Sequence, residues 1–126
     1  MTSKELADRI AQLLLDKKGN DVVMMDLRGI SDVADYFIIV SGESDIHVKT
    51  LANHVEKELK GEKIRPLHKE GFRQLNWVLM DFIEVVLHVF RPEVREYFAL
   101  EKLWADAKFT KVEDHVTTRV VSESAN

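Results

Sequence analysis

Two apolar runs, Trp77-Val78-Leu79-Met80-Asp81-Phe82 and Val85-Val86-Leu87-His88-Val89-Phe90, stand one short link apart, and no other stretch restricts the fold so far. Runs of this length, rich in β-branched and aromatic residues and joined by Ile83-Glu84, predict an antiparallel hairpin. A turn centred on Ile83-Glu84 sets Asp81 opposite Val86, Leu79 opposite His88 and Trp77 opposite Phe90 on one face. Met80 then opposes Leu87, and Val78 opposes Val89, on the other. The face of Val78, Met80, Phe82, Val85, Leu87 and Val89 is aliphatic and aromatic throughout, as a surface beneath helices would be. The opposite face mixes Trp77 and Phe90 with an acid and an imidazole, a composition that suits a binding surface. The bland alternative is a second core layer, with Trp77 and Phe90 packed under the last helix. Three helices at most, two of them on the aliphatic face, favour an uncovered patch and hence a partner site.

The remaining chain supplies the other layers. Thr2 or Ser3 caps a first helix whose Leu6, Ile10, Leu13 and Leu14 recur at helical spacing until Lys17-Lys18-Gly19-Asn20. Asp21 to Leu27 and Asp35 to Val40 read as strands apolar on both sides, hence central in a sheet, linked by Arg28-Gly29-Ile30-Ser31-Asp32. Ser44 is the natural N-cap of a helix that carries Ile46, Leu51, Val55 and Leu59 on one stripe and ends at Gly61. Strand, helix and the next strand predict a right-handed βαβ unit. Ile64 to Leu67 is expected as a short strand, and His68-Lys69-Glu70-Gly71 as a polar turn. Pro92 opens a last helix reaching about Ala107, with Val94, Phe98, Leu103, Tyr97 and Trp104 giving it an apolar side. The expected architecture is α/β: a single-domain mixed sheet of four to five strands with helices packed mainly on one face. The domain is expected over residues 1–107, with 108–126 a loosely ordered polar tail.

Composition excludes whole classes. At 126 residues and 45% hydrophobic the chain suits one core. A balance of 18 basic against 22 acidic residues, net −4, supplies no general field for nucleic acid, so any rRNA contact is local, through groups such as Lys69 and Arg73. With no cysteine there is no disulfide framework, thiolate nucleophile or cysteine zinc site, which fits a reducing compartment, the cytoplasm. No apolar stretch approaches bilayer length and the first residues lack a secretion pattern, so no membrane association is expected.

Catalytic and metal readings find little material. Ser41-Gly42-Glu43-Ser44 at a strand-to-helix junction can hold a phosphate, but is more simply an N-capped turn. A Mg²⁺-dependent nucleotidyltransferase needs converging carboxylates, and the sheet offers Asp81 alone. His47 and His54, two helical turns apart, are too distant to share an ion. His88 and Asp81 form an acid/base pair on paper, without a nucleophile or oxyanion turn.

The ordered series Ala34-Asp35-Tyr36-Phe37, Ser41-Gly42-Glu43-Ser44, Glu70-Gly71, Trp77-Val78-Leu79-Met80-Asp81, His88-Val89-Phe90, Arg95, Tyr97, Leu100-Glu101 and Leu103-Trp104 closely resembles the Iojap family of ribosomal silencing factors. The resemblance covers roughly Leu6 to Ala107. One departure is the hairpin turn, usually Gly-Asp in that family and Ile83-Glu84 here. A β-branched residue fits poorly where positive φ is required, so a longer or different turn is expected.

The resemblance implies a nucleotidyltransferase-like fold that has lost its catalytic carboxylates, with no enzyme activity, cofactor or metal. It implies a translational repressor that binds large-subunit ribosomal protein fourteen, blocks the small subunit from joining the large ribosomal subunit, and has a link to large-subunit maturation. The family surface maps onto Glu70, Trp77, Asp81, His88, Phe90, Arg95, Tyr97, Glu101, Lys102 and Trp104. The alternative function is a Mg²⁺-dependent nucleotidyltransferase using the Ser41–Ser44 turn and Asp81. An exposed apolar sheet face would also favour a homodimer when the partner is absent.

Overall fold

The computed structural model describes residues 1–103, 107–113 and 118–121, excluding the side chains of 96–98, 101, 103 and 118–121. Helix α1 (Ser3–Asp16) starts at a capping box in which the Thr2 hydroxyl accepts from the Glu5 amide and the Glu5 carboxylate accepts from the Thr2 amide. Its Leu6, Ile10, Leu13 and Leu14 are buried. Strands β1 (Asn20–Asp26) and β2 (Tyr36–Ser41) pair antiparallel, and every residue of β2 is buried. Helix α2 (Asp45–Gly61) begins at Ser44, whose hydroxyl accepts from the His47 amide, and buries Val48, Leu51, Ala52, Val55 and Leu59.

Strands β3 (His68–Glu70), β4 (Trp77–Asp81) and β5 (Val85–Phe90) form an antiparallel meander. Helices α3 (Pro92–Phe98) and α4 (Leu100–Leu103) follow, then β6 (Lys108–Val112) and β7 (Thr118–Val121). The seven strands lie in one sheet, ordered β3-β4-β5-β2-β1-β6-β7. Among the described strands only β2 and β5 run parallel, so the sheet is mixed, as expected.

The hairpin register is the one the sequence predicts, from Trp77 opposite Phe90 to Asp81 opposite Val86. The link remains two residues long, and of the two expected outcomes, a longer or a different turn, it is the different turn that forms. Ile83 takes φ +76, the Glu84 amide donates to the Phe82 carbonyl at 3.0 Å, and the Phe82 amide donates to the Val85 carbonyl at 2.8 Å. This is a three-residue γ-turn nested in the hairpin. The Asp81 carboxylate accepts from the Ile83 amide at 2.7 Å and fixes it there.

Four expectations are corrected. The sheet has more strands than four to five, because Lys108–Val112, expected in the tail, pairs with β1 and in turn carries β7. Val112 joins the core on one face and Phe109 packs on the other, which gives this polar-looking segment two apolar anchors. The parallel partner of β2 is β5 rather than the next strand, because α2 delivers the chain to the far edge of the sheet and the meander walks back. Residues 64–67 are not a strand; His68–Glu70 is, with its approach tied by the Leu67 amide to the Asp81 carbonyl at 2.8 Å. The last helix is broken at Ala99, which adopts a left-handed conformation with φ 46 and ψ 54.

Helices α1 and α2 cover one sheet face, sealing Val78, Met80, Phe82, Val85, Leu87 and Val89 into the larger core cluster. The opposite face has a smaller cluster of its own, where Leu100 and Ala107 pack with Met25, Leu27, Phe37, Ile39, Val86 and Phe90.

Candidate functional site

The mixed aromatic and polar face runs across β3, β4 and β5. Direct cross-strand partners share a face, so Glu70, Leu79, His88 and Ile39 form one row across four strands. Trp77 and Phe90 lie in the row on one side of it, and His68, Asp81 and Val86 in the row on the other.

The expected uncovered aromatic patch is corrected, since Phe90 is buried and Trp77 half-buried. Phe90 is 1% exposed and His88 3%. The C-terminal segment forms a second core layer over β5 and β2, the bland alternative for Phe90. Trp77 and Leu79 on β4 pack against the same cluster yet stay half-buried, as does Asp81, whereas Glu70 on β3 is exposed. Burial therefore grades from solvent at β3 to core at β5.

Trp77 sits on that gradient in a defined pose. Its indole Nε1 donates to His88 Nδ1 at 3.0 Å, and its ring lies 5.0 Å from Phe90 at a 30° tilt. Phe37 meets His88 edge-on at 4.7 Å, and His88 lies nearly parallel to Phe90 at 6.1 Å. Burial pushes the His88 pKa down to about 4, so the imidazole is neutral at physiological pH. Because an indole nitrogen only donates, His88 Nδ1 is the acceptor and the proton resides on Nε2. Nε2 is buried without a hydrogen-bond partner among the described residues.

The acid/base pair of Asp81 and His88 dissolves in this geometry. Asp81 bonds the turn amide of Ile83, and His88 bonds the Trp77 indole. One carboxylate shapes a turn and one imidazole orients an aromatic, and neither job moves a proton. Two exposed apolar side chains near the hairpin end were missed by sequence reasoning, Leu67 at 73% and Ile83 at 62% exposure. Ile83 was legible as a turn residue, but Leu67 reaches the hairpin end only through its amide bond to the Asp81 carbonyl. Phe37 was also missed as a support for His88, because its alignment depends on the β2–β5 pairing.

The other expected residues scatter. Arg95 on α3 donates through Nη1 to the Ser41 hydroxyl and to the Asp21 carbonyl, each at 2.9 Å, which ties α3 to β2 and β1. Lys102 is exposed on α4. The side chains of Tyr97 and Glu101, and the whole of Trp104, lie outside the described residues.

The Ser41–Ser44 turn is a cap. The Gly42 amide donates to the Phe90 carbonyl, the Glu43 amide to His47 Nδ1, and the His47 amide to the Ser44 hydroxyl. These amides are spent, and a phosphate would have to displace them. His47 Nε2 bonds the Lys17 carbonyl at 2.9 Å, and His54 faces Asp16 at 3.4 Å. No group of three His, Cys, Asp or Glu able to hold a metal occurs among the described residues.

The family model described as "Ribosomal silencing factor during starvation" matches residues 1–126. The ribosomal silencing factor RsfS of Bacillus subtilis is 40% identical over 107 residues, 85% of this chain and 91% of that protein. "Mitochondrial assembly of ribosomal large subunit protein 1" of Mus musculus is 33% identical over 81% of this chain and 46% of that protein. A crystal structure of a Chromobacterium violaceum protein superposes with a TM-score of 0.80 at 35% identity, covering 82% of this chain and 87% of that one.

Proposed function

The chain belongs to the ribosomal silencing factor family, and from that membership we propose that it represses translation by binding the large ribosomal subunit and occluding the surface the small subunit must meet. The contact we assign is the outer part of the mixed face, with large-subunit ribosomal protein fourteen as its partner. Trp77 is the anchor, and Glu70, Leu79 and Asp81 surround it. The observation that carries this reading is the Trp77 indole, half-buried, held by His88 and tilted against Phe90. An oriented aromatic at the boundary between core and solvent is the kind of group that dominates binding energy, since its conformational entropy is already lost.

His88 and Phe90 act in this reading from beneath, by fixing Trp77. Arg95 acts by holding α3 in place. Tyr97, Glu101, Lys102 and Trp104 are assigned to the partner contact from the family resemblance, and Lys69 and Arg73 to neighbouring rRNA. The scaffold is read as nucleotidyltransferase-like, with Asp81 retained as a turn clamp instead of a metal ligand. Work in the cytoplasm follows from the bacterial relatives, and no described helix is long and apolar enough to cross a membrane. The name of the mouse relative adds large-subunit assembly as a second setting for the same contact.

Co-sedimentation with isolated large and small ribosomal subunits tests the reading. The protein is expected to pellet with large subunits alone, and small subunits added afterwards should fail to join. Pelleting with neither subunit at micromolar concentration would remove the ribosome as the target.

A further inference from the structure

A different edge of the molecule concentrates positive charge. Lys57, Lys60, Lys63, Arg65, Lys69 and Arg73 fall in one stretch of a chain whose net charge is −4. The acids nearby are largely engaged: Glu56 binds Lys69 and Glu62 binds Arg9, each at 2.7 Å, while Glu70 is bonded to His68. Among the described residues Lys57, Lys60, Lys63, Arg65 and Arg73 enter no ion pair and all are exposed. Lys60, Arg65, His68 and Lys69 line an open groove of 360 Å³ between the end of α2 and the approach to β3. A second groove over the outer face of α2 continues it, with Lys57 and Lys60 on its wall.

Strand alternation sends Lys69 to α2, where it meets Glu56, and Glu70 to the side of Leu79, while His68 lines the groove at the edge nearest that face. A protein docked against Trp77 therefore leaves the cationic groove open along its flank. A track of unpaired cations suits a continuous polyanion better than a single carboxylate, because each cation can displace counterions from its own phosphate. We propose that this groove takes the phosphate backbone of ribosomal RNA beside the protein contact, an inference that rests on the large-subunit reading above. Lys60 and Arg65 are its principal phosphate-binding residues, since Lys69 is shared with Glu56.

The test compares wild-type protein with the Lys60→Gln/Arg65→Gln variant, using Lys18→Gln/Lys49→Gln as a control of equal charge change at exposed positions elsewhere. Thermal melts should coincide for all three. Affinity for purified large subunits is then measured over a series of KCl concentrations. For two lost phosphate contacts, the plot of log affinity against log salt should flatten by about 2 in the groove variant, well beyond any change in the control. Affinity for the isolated large-subunit ribosomal protein should be unchanged. Equal slopes in groove variant and control would overturn the proposal, and so would an equal loss of affinity for the isolated protein, which would make the groove a protein contact. If wild-type protein ignores large subunits altogether, the functional reading fails separately, and the groove is judged by fluorescence anisotropy with a labelled RNA hairpin. Tighter hairpin binding by wild type than by the groove variant supports it, and indistinguishable or absent binding overturns it.

Discussion

His88 combines two properties that rarely coexist without a cost, a buried imidazole and a ring nitrogen with no partner among the described residues. Its pKa is pushed down by burial to about 4 from an ordinary 6.5, so the folded protein resists protonation where the unfolded chain accepts it. The stability it contributes is complete above the unfolded value and is lost as pH falls from 6.5 toward 4. By pH 5 the loss should be about 2 kcal/mol, because each pH step below the unfolded value favours the protonated, unfolded chain by roughly 1.4 kcal/mol. Urea melts of wild type and His88→Leu at pH 7 and pH 5 isolate this contribution, because carboxylates titrate in both. The wild-type midpoint should fall further than that of the variant, and parallel declines would mean that His88 is protonated in the fold. Protonation would also take away the lone pair that Trp77 uses, so the indole and the imidazole form one unit.

At the scale of elements, the hairpin was the most legible part of the molecule, and its one irregularity is instructive. Turn length and side-chain parity are local properties, so Trp77 to Asp81 and Val85 to Phe90 could be aligned from sequence alone. The parallel pairing of β2 with β5 has no local signature, because α2, β3 and β4 intervene, and the βαβ expectation failed there. Lys108–Val112 was missed because only Phe109 and Val112 are apolar, and their burial needs β1 beside them. Within the hairpin, Ile83 adopts φ +76 although β-branched residues avoid that region. Asp81 and the two nested turn bonds hold it against a strain of about 1–3 kcal/mol. Ile83→Gly removes the strain at the expense of unfolded-chain entropy, and the 62% exposed side chain forfeits little burial. A net gain of about 1 kcal/mol is expected, read as a higher urea midpoint with an unchanged m-value. A lower midpoint would show that Ile83 contributes more through packing than it costs in backbone strain.

For the whole molecule, the question is how one sheet face serves as both core and contact. Sequence parity put Trp77, His88 and Phe90 on the same side, but not the depth of each, because depth depends on where the C-terminal segment crosses. With α3, α4 and Ala107 over β5 and β2, the face is closed at its centre and open toward β3, and the roles of two aromatics 5.0 Å apart diverge. Phe90→Ala empties a buried site and should cost about 3–5 kcal/mol of stability. Trp77→Ala removes a half-buried ring whose neighbours are already packed from below, so its effect on stability should be the smaller of the two. Its effect on the complex should be the larger: a loss of about 2 kcal/mol in binding the large-subunit ribosomal protein, roughly thirtyfold in Kd, from a variant that melts cooperatively. Calorimetric titration together with a thermal melt reads both quantities from one preparation. A folded Trp77→Ala protein that binds with wild-type affinity would move the contact off β4, while one that melts as early as Phe90→Ala would assign Trp77 to the core. The graded burial across β3, β4 and β5 predicts neither, since the same packing that hides Phe90 holds the Trp77 ring in position for a partner.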